Sequence, residues 1–221
     1  MDIKRILASC DHTLLDRCAA EADIERVVDE GIKYSTASVC IPPCYVKHAK
    51  SYSKGKISIC TVIGFPNGYS AASAKVSEAR IAAEDGADEI DMVINLGWVR
   101  SGRFSDVLAE INAVKAAIGE KILKVIIEAC LLSEEEKIAL CETVSLSDAD
   151  YIKTSTGFST GGATLEDVRL MAKHMKNGKR IKAAGGISTL EDAEAFLRAG
   201  ASRLGTSRIV KLIQNENAEG Y

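Results

Sequence analysis

The chain has 221 residues, 47% hydrophobic and 27% charged, with a formal net charge of −3. This is an ordinary globular composition, and its slight acidity offers nothing to nucleic acid or to an anionic membrane surface. No signal pattern opens the chain and no apolar run reaches the roughly 20 residues that span a bilayer, so a cytoplasmic protein is expected.

The predicted elements alternate from the start. Asp2 to Ser9 reads as a short helix, and Asp11-His12-Thr13-Leu14-Leu15 as a short strand or turn. Glu21 to Gly31 is amphipathic, with Ile24, Val27 and Val28 at helical spacing. Ser38 to Ile41 is strand-like and stops at Pro42-Pro43; His48 to Ser53 is weakly helical; Ile57 to Ile63 is a strand. Alanine-rich Ala71 to Glu84 is a helix, Glu89 to Ile94 a strand, Phe104 to Ile118 a helix and Ile122 to Glu128 a strand. Ser133 to Val144 opens as a capped helix whose first-turn glutamates suit the positive end of its dipole. Asp150 to Thr154 is a strand, Thr164 to Met175 a helix, Arg180 to Ala184 a strand and Thr189 to Ala199 a helix. Ser202 to Thr206 is a last strand and Ile209 to Gln214 a last helix, with 215–221 a flexible polar tail.

Eight strands alternating with helices over 1–221, with no linker, predict one α/β domain, a (β/α)8 barrel with a short N-terminal helix. An open doubly wound sheet is the alternative, but neither GxGxxG nor a Walker loop follows any strand. The seven cysteines are odd in number and form no CxxC pair. A reducing compartment fits them, and neither they nor the scattered histidines make a metal site.

The chemistry gathers on Asp150-Tyr151-Ile152-Lys153-Thr154-Ser155-Thr156-Gly157, an apolar run that breaks into hydroxyls and glycine. Lysine is rare inside such a strand. On periodicity alone, a reactive lysine and a structural one stay equally open. In a barrel the active residues lie at the carboxyl ends of strands, where this chain offers Asp11, Cys40, Asp91, Lys124, Lys153 and Lys182. Lys153 and Lys182 fall on successive strands. Two ammonium groups about 5 Å apart, at an effective dielectric near 20, repel by roughly 3 kcal/mol. A lysine crowded in this way gives up its proton readily, and the free amine attacks carbonyls to form a Schiff base. A non-catalytic inward ion-pair network is the other reading. Glycine-bearing turns follow the last three strands: Ser155-Thr156-Gly157, Ala184-Gly185-Gly186 and Gly205-Thr206-Ser207. Their exposed backbone N–H groups suit a phosphate.

The Tyr151–Gly157 stretch, with Asp11-His12-Thr13-Leu14-Leu15, Ser38-Val39-Cys40-Ile41, Asp88-Glu89-Ile90-Asp91-Met92-Val93-Ile94, Lys124-Val125-Ile126-Ile127-Glu128 and Lys182-Ala183-Ala184-Gly185-Gly186-Ile187, resembles the deoxyribose-phosphate aldolase family over nearly the whole chain. The resemblance implies a class I aldolase, without metal or cofactor, that reversibly cleaves 2-deoxy-D-ribose 5-phosphate to acetaldehyde and D-glyceraldehyde 3-phosphate. It implies that Lys153 forms the Schiff base, Lys182 lowers its pKa, Asp91 relays protons with Lys124, and Tyr221 assists at the enamine carbon. Around them, Asp11, Thr13, Cys40, Thr154, Gly157, Gly185, Gly186, Ser188, Gly205, Ser207 and Arg208 are expected to hold substrate and phosphate. A homodimer is expected on base rates. A transaldolase-like enzyme and a non-catalytic sugar-phosphate-binding barrel are the alternatives.

Two departures from the family pattern stand out. Ser188 sits where many members carry arginine, and Arg208 where a small residue is common, so the phosphate-side cation is expected to have moved between loops. Asp16-Arg17-Cys18 also departs from the pattern, in a loop expected to leave the chemistry untouched.

Overall fold

The computed structural model describes residues 2–219. Eight parallel strands close in sequence order into a barrel: β1 (Cys10–Thr13), β2 (Ser38–Ile41), β3 (Ile59–Ile63), β4 (Glu89–Val93), β5 (Ile122–Ile126), β6 (Tyr151–Lys153), β7 (Arg180–Ala184) and β8 (Arg203–Thr206). Every neighbouring pair is parallel, including β8 with β1. The helices are α1 (Ile3–Ala8), α2 (Glu21–Tyr34), α3 (Val46–Ser53), α4 (Ala72–Glu84), α5 (Leu96–Arg100), α6 (Phe104–Ile118), α7 (Glu134–Leu146), α8 (Leu165–His174), α9 (Leu190–Ala199) and α10 (Ile209–Glu219).

Local chemistry sets the helix starts. Ser133 accepts from the Glu136 amide while Glu136 accepts from the Ser133 amide, a reciprocal cap that opens α7. Thr189 and Asp192 open α9 in the same way. Two differences from the sequence expectation are informative. Helix α5 was not anticipated, because five residues around Gly97 carry no periodicity; Asn95 caps it, accepting from the Trp98 amide at 3.3 Å. Helix α10 runs to Glu219, past the expected stop at Gln214, with neither glycine nor proline there to end it.

The strands are buried on both faces, but the faces differ. Outward residues such as Val39, Ile90, Met92, Val125, Ile152, Ala183 and Leu204 join one large apolar core against the helices. The interior is polar instead of being filled by branched aliphatics, as is common in this architecture. Asp11, Glu89, Asp91, Lys124, Lys153, Lys182 and Arg203 are all buried. Among the described residues a second, small apolar cluster stands apart from the main core: Cys40, Cys60 and Val62, with Leu15 and Phe65 against them.

Candidate active site

The strand register brings the charges together. Asp91 pairs with Lys124 across β4 and β5, and Lys153 with Lys182 across β6 and β7. Strand residues two apart share a face, so Glu89 follows Asp91 inward, and Arg203 shares the inward face with Gly205. Gly205 has no side chain for good reason: a Cβ there would lie 2.9 Å from the Ala184 Cβ and 3.2 Å from the Lys182 Cε. The missing atom leaves room for the lysine stem.

Asp91 is the hub. Its Oδ1 accepts from the Lys124 Nζ at 2.8 Å, and its Oδ2 accepts from both the Lys153 and Lys182 Nζ, each at 2.7 Å. Two amines on one oxygen are at most twice that distance apart. Lys182 also donates to Asp11 Oδ2, and Arg203 donates to Asp11 Oδ1 at 2.6 Å and to Glu89 at 3.1 Å. Lys124 reaches Glu89 Oε2 at 2.6 Å. Burial pushes the Asp91 carboxyl up, but Lys124, Lys153 and Lys182 outweigh it and hold the group well below the carboxylate range. Burial likewise works against the charge on Lys182, and Asp11 and Asp91 more than offset it, holding its pKa above the ordinary lysine value. Lys124 is raised in the same way, by Asp91 first.

Sequence placed these groups at strand ends. Only Lys153 ends its strand; Asp11, Asp91, Lys124 and Lys182 sit a residue or more inside theirs. Lys153 therefore meets the mouth while the others lie beneath it. Above it opens a cavity of about 770 Å³, lined by Lys153, Thr13, Gly157, Gly185, Gly186, Ser188, Gly205, Ser207 and Arg208 among others. That volume suits a small ligand. Arg208 Nη1 donates to the Ser188 hydroxyl at 2.6 Å, joining the loops after β7 and β8. Gly185 has φ +82°, and its backbone lies 2.5 Å from where a Cβ on Gly162 would be, so the loops after β6 and β7 pack main chain to main chain.

Other expected residues fall elsewhere. Asp11 lies below the cavity, in the charge network. Cys40 is buried beside Cys60 and does not line the cavity. Thr154 ties β6 to β7: its hydroxyl accepts from the Ala184 amide at 3.0 Å and donates to the Ala184 carbonyl at 3.2 Å. Its parity turns it away from Lys153. The loop expected to be idle is not remote, because Asp16, Arg17 and Cys18 line the same cavity. Tyr221 lies outside the described residues. Sequence reasoning missed Arg203, Glu89, Arg17 and Lys211; only Glu89 left a signal, its parity with Asp91. The Cys40 and Cys60 thiols and Asp91 lie within 4.8 Å of one another, as do ligand atoms of Asp11, Cys60 and Glu89. Their carboxylates already bind ammonium or guanidinium groups, which a divalent ion would have to displace.

A closed parallel barrel with a lysine at the floor of an open, glycine-rimmed mouth defines a barrel enzyme whose reactive groups sit at the carboxyl side of the sheet. Comparison with known proteins narrows the class. The chain belongs to the DeoC/LacD family of aldolases, whose family model matches residues 5–208. It is 58% identical over 219 residues to the deoxyribose-phosphate aldolase of Streptococcus agalactiae serotype Ia, covering 99% of this chain and 98% of that one. A crystal structure from Coccidioides immitis superposes with a TM-score of 0.94 at 41% identity, covering 98% of this chain and 87% of the other. The deoxyribose phosphate aldolase of Aeropyrum pernix, described as a tetramer, superposes with a TM-score of 0.88 at 30% identity, covering 99% and 93%. Among the described residues no helix is long and apolar enough to cross a membrane.

Proposed function

We propose that this chain is a class I aldolase that cleaves 2-deoxy-D-ribose 5-phosphate reversibly, through a Schiff base on Lys153, to acetaldehyde and D-glyceraldehyde 3-phosphate. The observation that carries the reading is one buried lysine open to the cavity, sharing a carboxylate oxygen with a second lysine that is itself held by two carboxylates. The uncharged Lys153 amine adds to the C1 aldehyde of the open-chain sugar. The carbinolamine loses water, leaving a protonated imine that draws electrons from C2. A base takes the proton from the C3 hydroxyl, the C2–C3 bond breaks, and glyceraldehyde 3-phosphate leaves. The enamine is then protonated at C2, and water releases acetaldehyde and the free lysine.

Asp91, with Lys124 and a water, is assigned the proton relay. Lys182 is assigned to disfavour a second positive charge beside it. Asp11 holds Lys182. Tyr221 is assigned protonation at C2, as the family resemblance implies. The phosphate is assigned to the loops bearing Gly185, Gly186, Ser188, Gly205, Ser207 and Arg208, with Thr13 and Gly157 on the same rim. Cationic side chains support this: Arg17, Arg208 and Lys211 border the cavity against one carboxylate, Asp16. Neither Cys40 nor Thr154 receives a substrate contact. A homodimer in the cytoplasm is inferred from the frequency of two-fold assemblies and from seven free cysteines.

The test is a coupled assay for glyceraldehyde 3-phosphate released from 2-deoxy-D-ribose 5-phosphate. Wild type turns over and Lys153→Leu falls by at least about 10³-fold, as loss of a nucleophile requires. Turnover retained in Lys153→Leu would contradict the assignment.

A further inference from the structure

The buried network contains four cations, Lys124, Lys153, Lys182 and Arg203, but three carboxylates, Asp11, Glu89 and Asp91. Six of the seven form a closed ring of alternating sign. Lys182 meets Asp11, Asp11 meets Arg203 and Arg203 meets Glu89. Glu89 meets Lys124, Lys124 meets Asp91 and Asp91 returns to Lys182. Lys153 hangs on this ring through Asp91. The ring by itself is neutral, so Lys153 is the surplus charge.

We propose that Arg203 and Glu89, which open β8 and β4 below the cavity, are positioning residues that set the charge on Lys153 through the balance of this network. The proposal rests on reading Lys153 as the Schiff-base lysine. Neither residue lines the cavity, so neither touches substrate. A dry site tolerates paired charges far better than a net one. With the ring intact, the balanced state is the one in which Lys153 carries no proton. Removing Arg203 leaves three cations and three carboxylates, which balance with Lys153 protonated. Neutralising Glu89 leaves four cations against two carboxylates and opposes the Lys153 proton further. The two changes push Lys153 in opposite directions, although each breaks the same ring.

The remaining groups facing this space come from β2, β3, β6 and β7, where Arg180 shares the inward parity of Lys182 at the exposed start of its strand. Cys60 donates to Asp91 Oδ1 at 3.3 Å; burial first, then its bond with Cys40, pushes its thiol up, so it stays neutral. Cys40 is drawn down, chiefly by that bond with Cys60, and is the one thiol whose ionisation would offset a protonated Lys153. Tyr151 lies under the guanidinium groups of Arg180 and Arg203, with ring-centroid distances of 4.1 and 5.6 Å.

The experiment follows formation of the Lys153 adduct with acetaldehyde, fixed by cyanoborohydride, as a function of pH. It compares wild type, Arg203→Met, Arg203→Lys, Glu89→Gln and the double variant Arg203→Met/Glu89→Gln, each also with Cys40→Ala. Arg203→Met should move the acid limb up by on the order of one pH unit, and Glu89→Gln should move it down by a similar amount. The double variant again has one surplus cation and should return to the wild-type midpoint, while Arg203→Lys should keep it. Shifts of the same sign, or unmoved midpoints in folded variants, would overturn the proposal, because a merely structural role predicts lost stability without opposed shifts. If Arg203→Met does not fold, the near-isosteric Glu89→Gln decides: a midpoint that stays or rises overturns it. No adduct in wild type at any pH would instead overturn the aldolase reading.

Discussion

Lys153 can approach the solvent because its strand ends on it, whereas Lys182 lies two residues before the end of β7. That small offset separates an amine that can meet substrate from one fixed by two carboxylates. Replacing Lys182 by leucine removes the neighbouring charge. In Lys182→Leu the activity lost near neutrality should be regained in part at higher pH; wild-type activity at neutral pH would remove its assigned role. Arg208 is the other side chain that governs the mouth. It bridges to Ser188 over the cavity, and a charge-assisted hydrogen bond is worth about 1.5–3 kcal/mol. Arg208→Ser should therefore raise KM for the phosphorylated sugar roughly ten- to hundredfold and leave acetaldehyde capture at Lys153 unchanged. An unchanged KM would exclude Arg208 from phosphate binding.

At the scale of the element, the loop after β6 is fixed from the end of β5. Glu128, buried and left-handed at φ 50°, accepts from the Thr156 amide at 3.1 Å and from the Thr156 hydroxyl. A non-glycine residue in that conformation costs on the order of 1 kcal/mol or more, so the loop must repay it. Glu128→Gln replaces one accepting oxygen with a donor opposite the Thr156 amide or hydroxyl. It should lower stability by about 1–3 kcal/mol and raise KM for the sugar phosphate, while cyanoborohydride capture of acetaldehyde persists. An unaltered melting curve and KM would mean that the loop holds itself. The strands, the barrel and Asp91, Lys124, Lys153 and Lys182 were legible in sequence, because charges at one parity in apolar runs have no place in a dry core. Arg203 was not legible. It begins a four-residue strand, where a cation more commonly reaches water. Nor could periodicity show that the interior is polar, because both faces of every strand are buried and only closure decides which is inside. Nor was the length of α10 legible, because a polar run after Gln214 fits a tail as well as it fits a helix end.

At the scale of the whole molecule, the ion ring makes stability depend on pH from both sides. The Asp91 and Asp11 pKa values are lowered from an ordinary 3.8, burial opposing and the cations outweighing it. Their stabilisation is complete above that value and is lost as pH falls through the depressed folded-state values. The Lys124 and Lys182 pKa values are raised from an ordinary 10.5, again against burial. Their stabilisation is complete below that value and declines as pH rises above it. Thermal melts should thus hold a plateau from about pH 5 to pH 9 and fall on either side, with Asp91→Asn losing much of the plateau. A melting temperature that keeps rising below pH 3 would contradict the ring.

The most direct measurement is reduction of the wild-type protein with borohydride in the presence of acetaldehyde, followed by peptide mapping. An ethyl group on the peptide carrying Lys153, with Lys124 and Lys182 unmodified, is the predicted result. An unmodified Lys153, or label on Lys182 in its place, would contradict the assignment of the nucleophile.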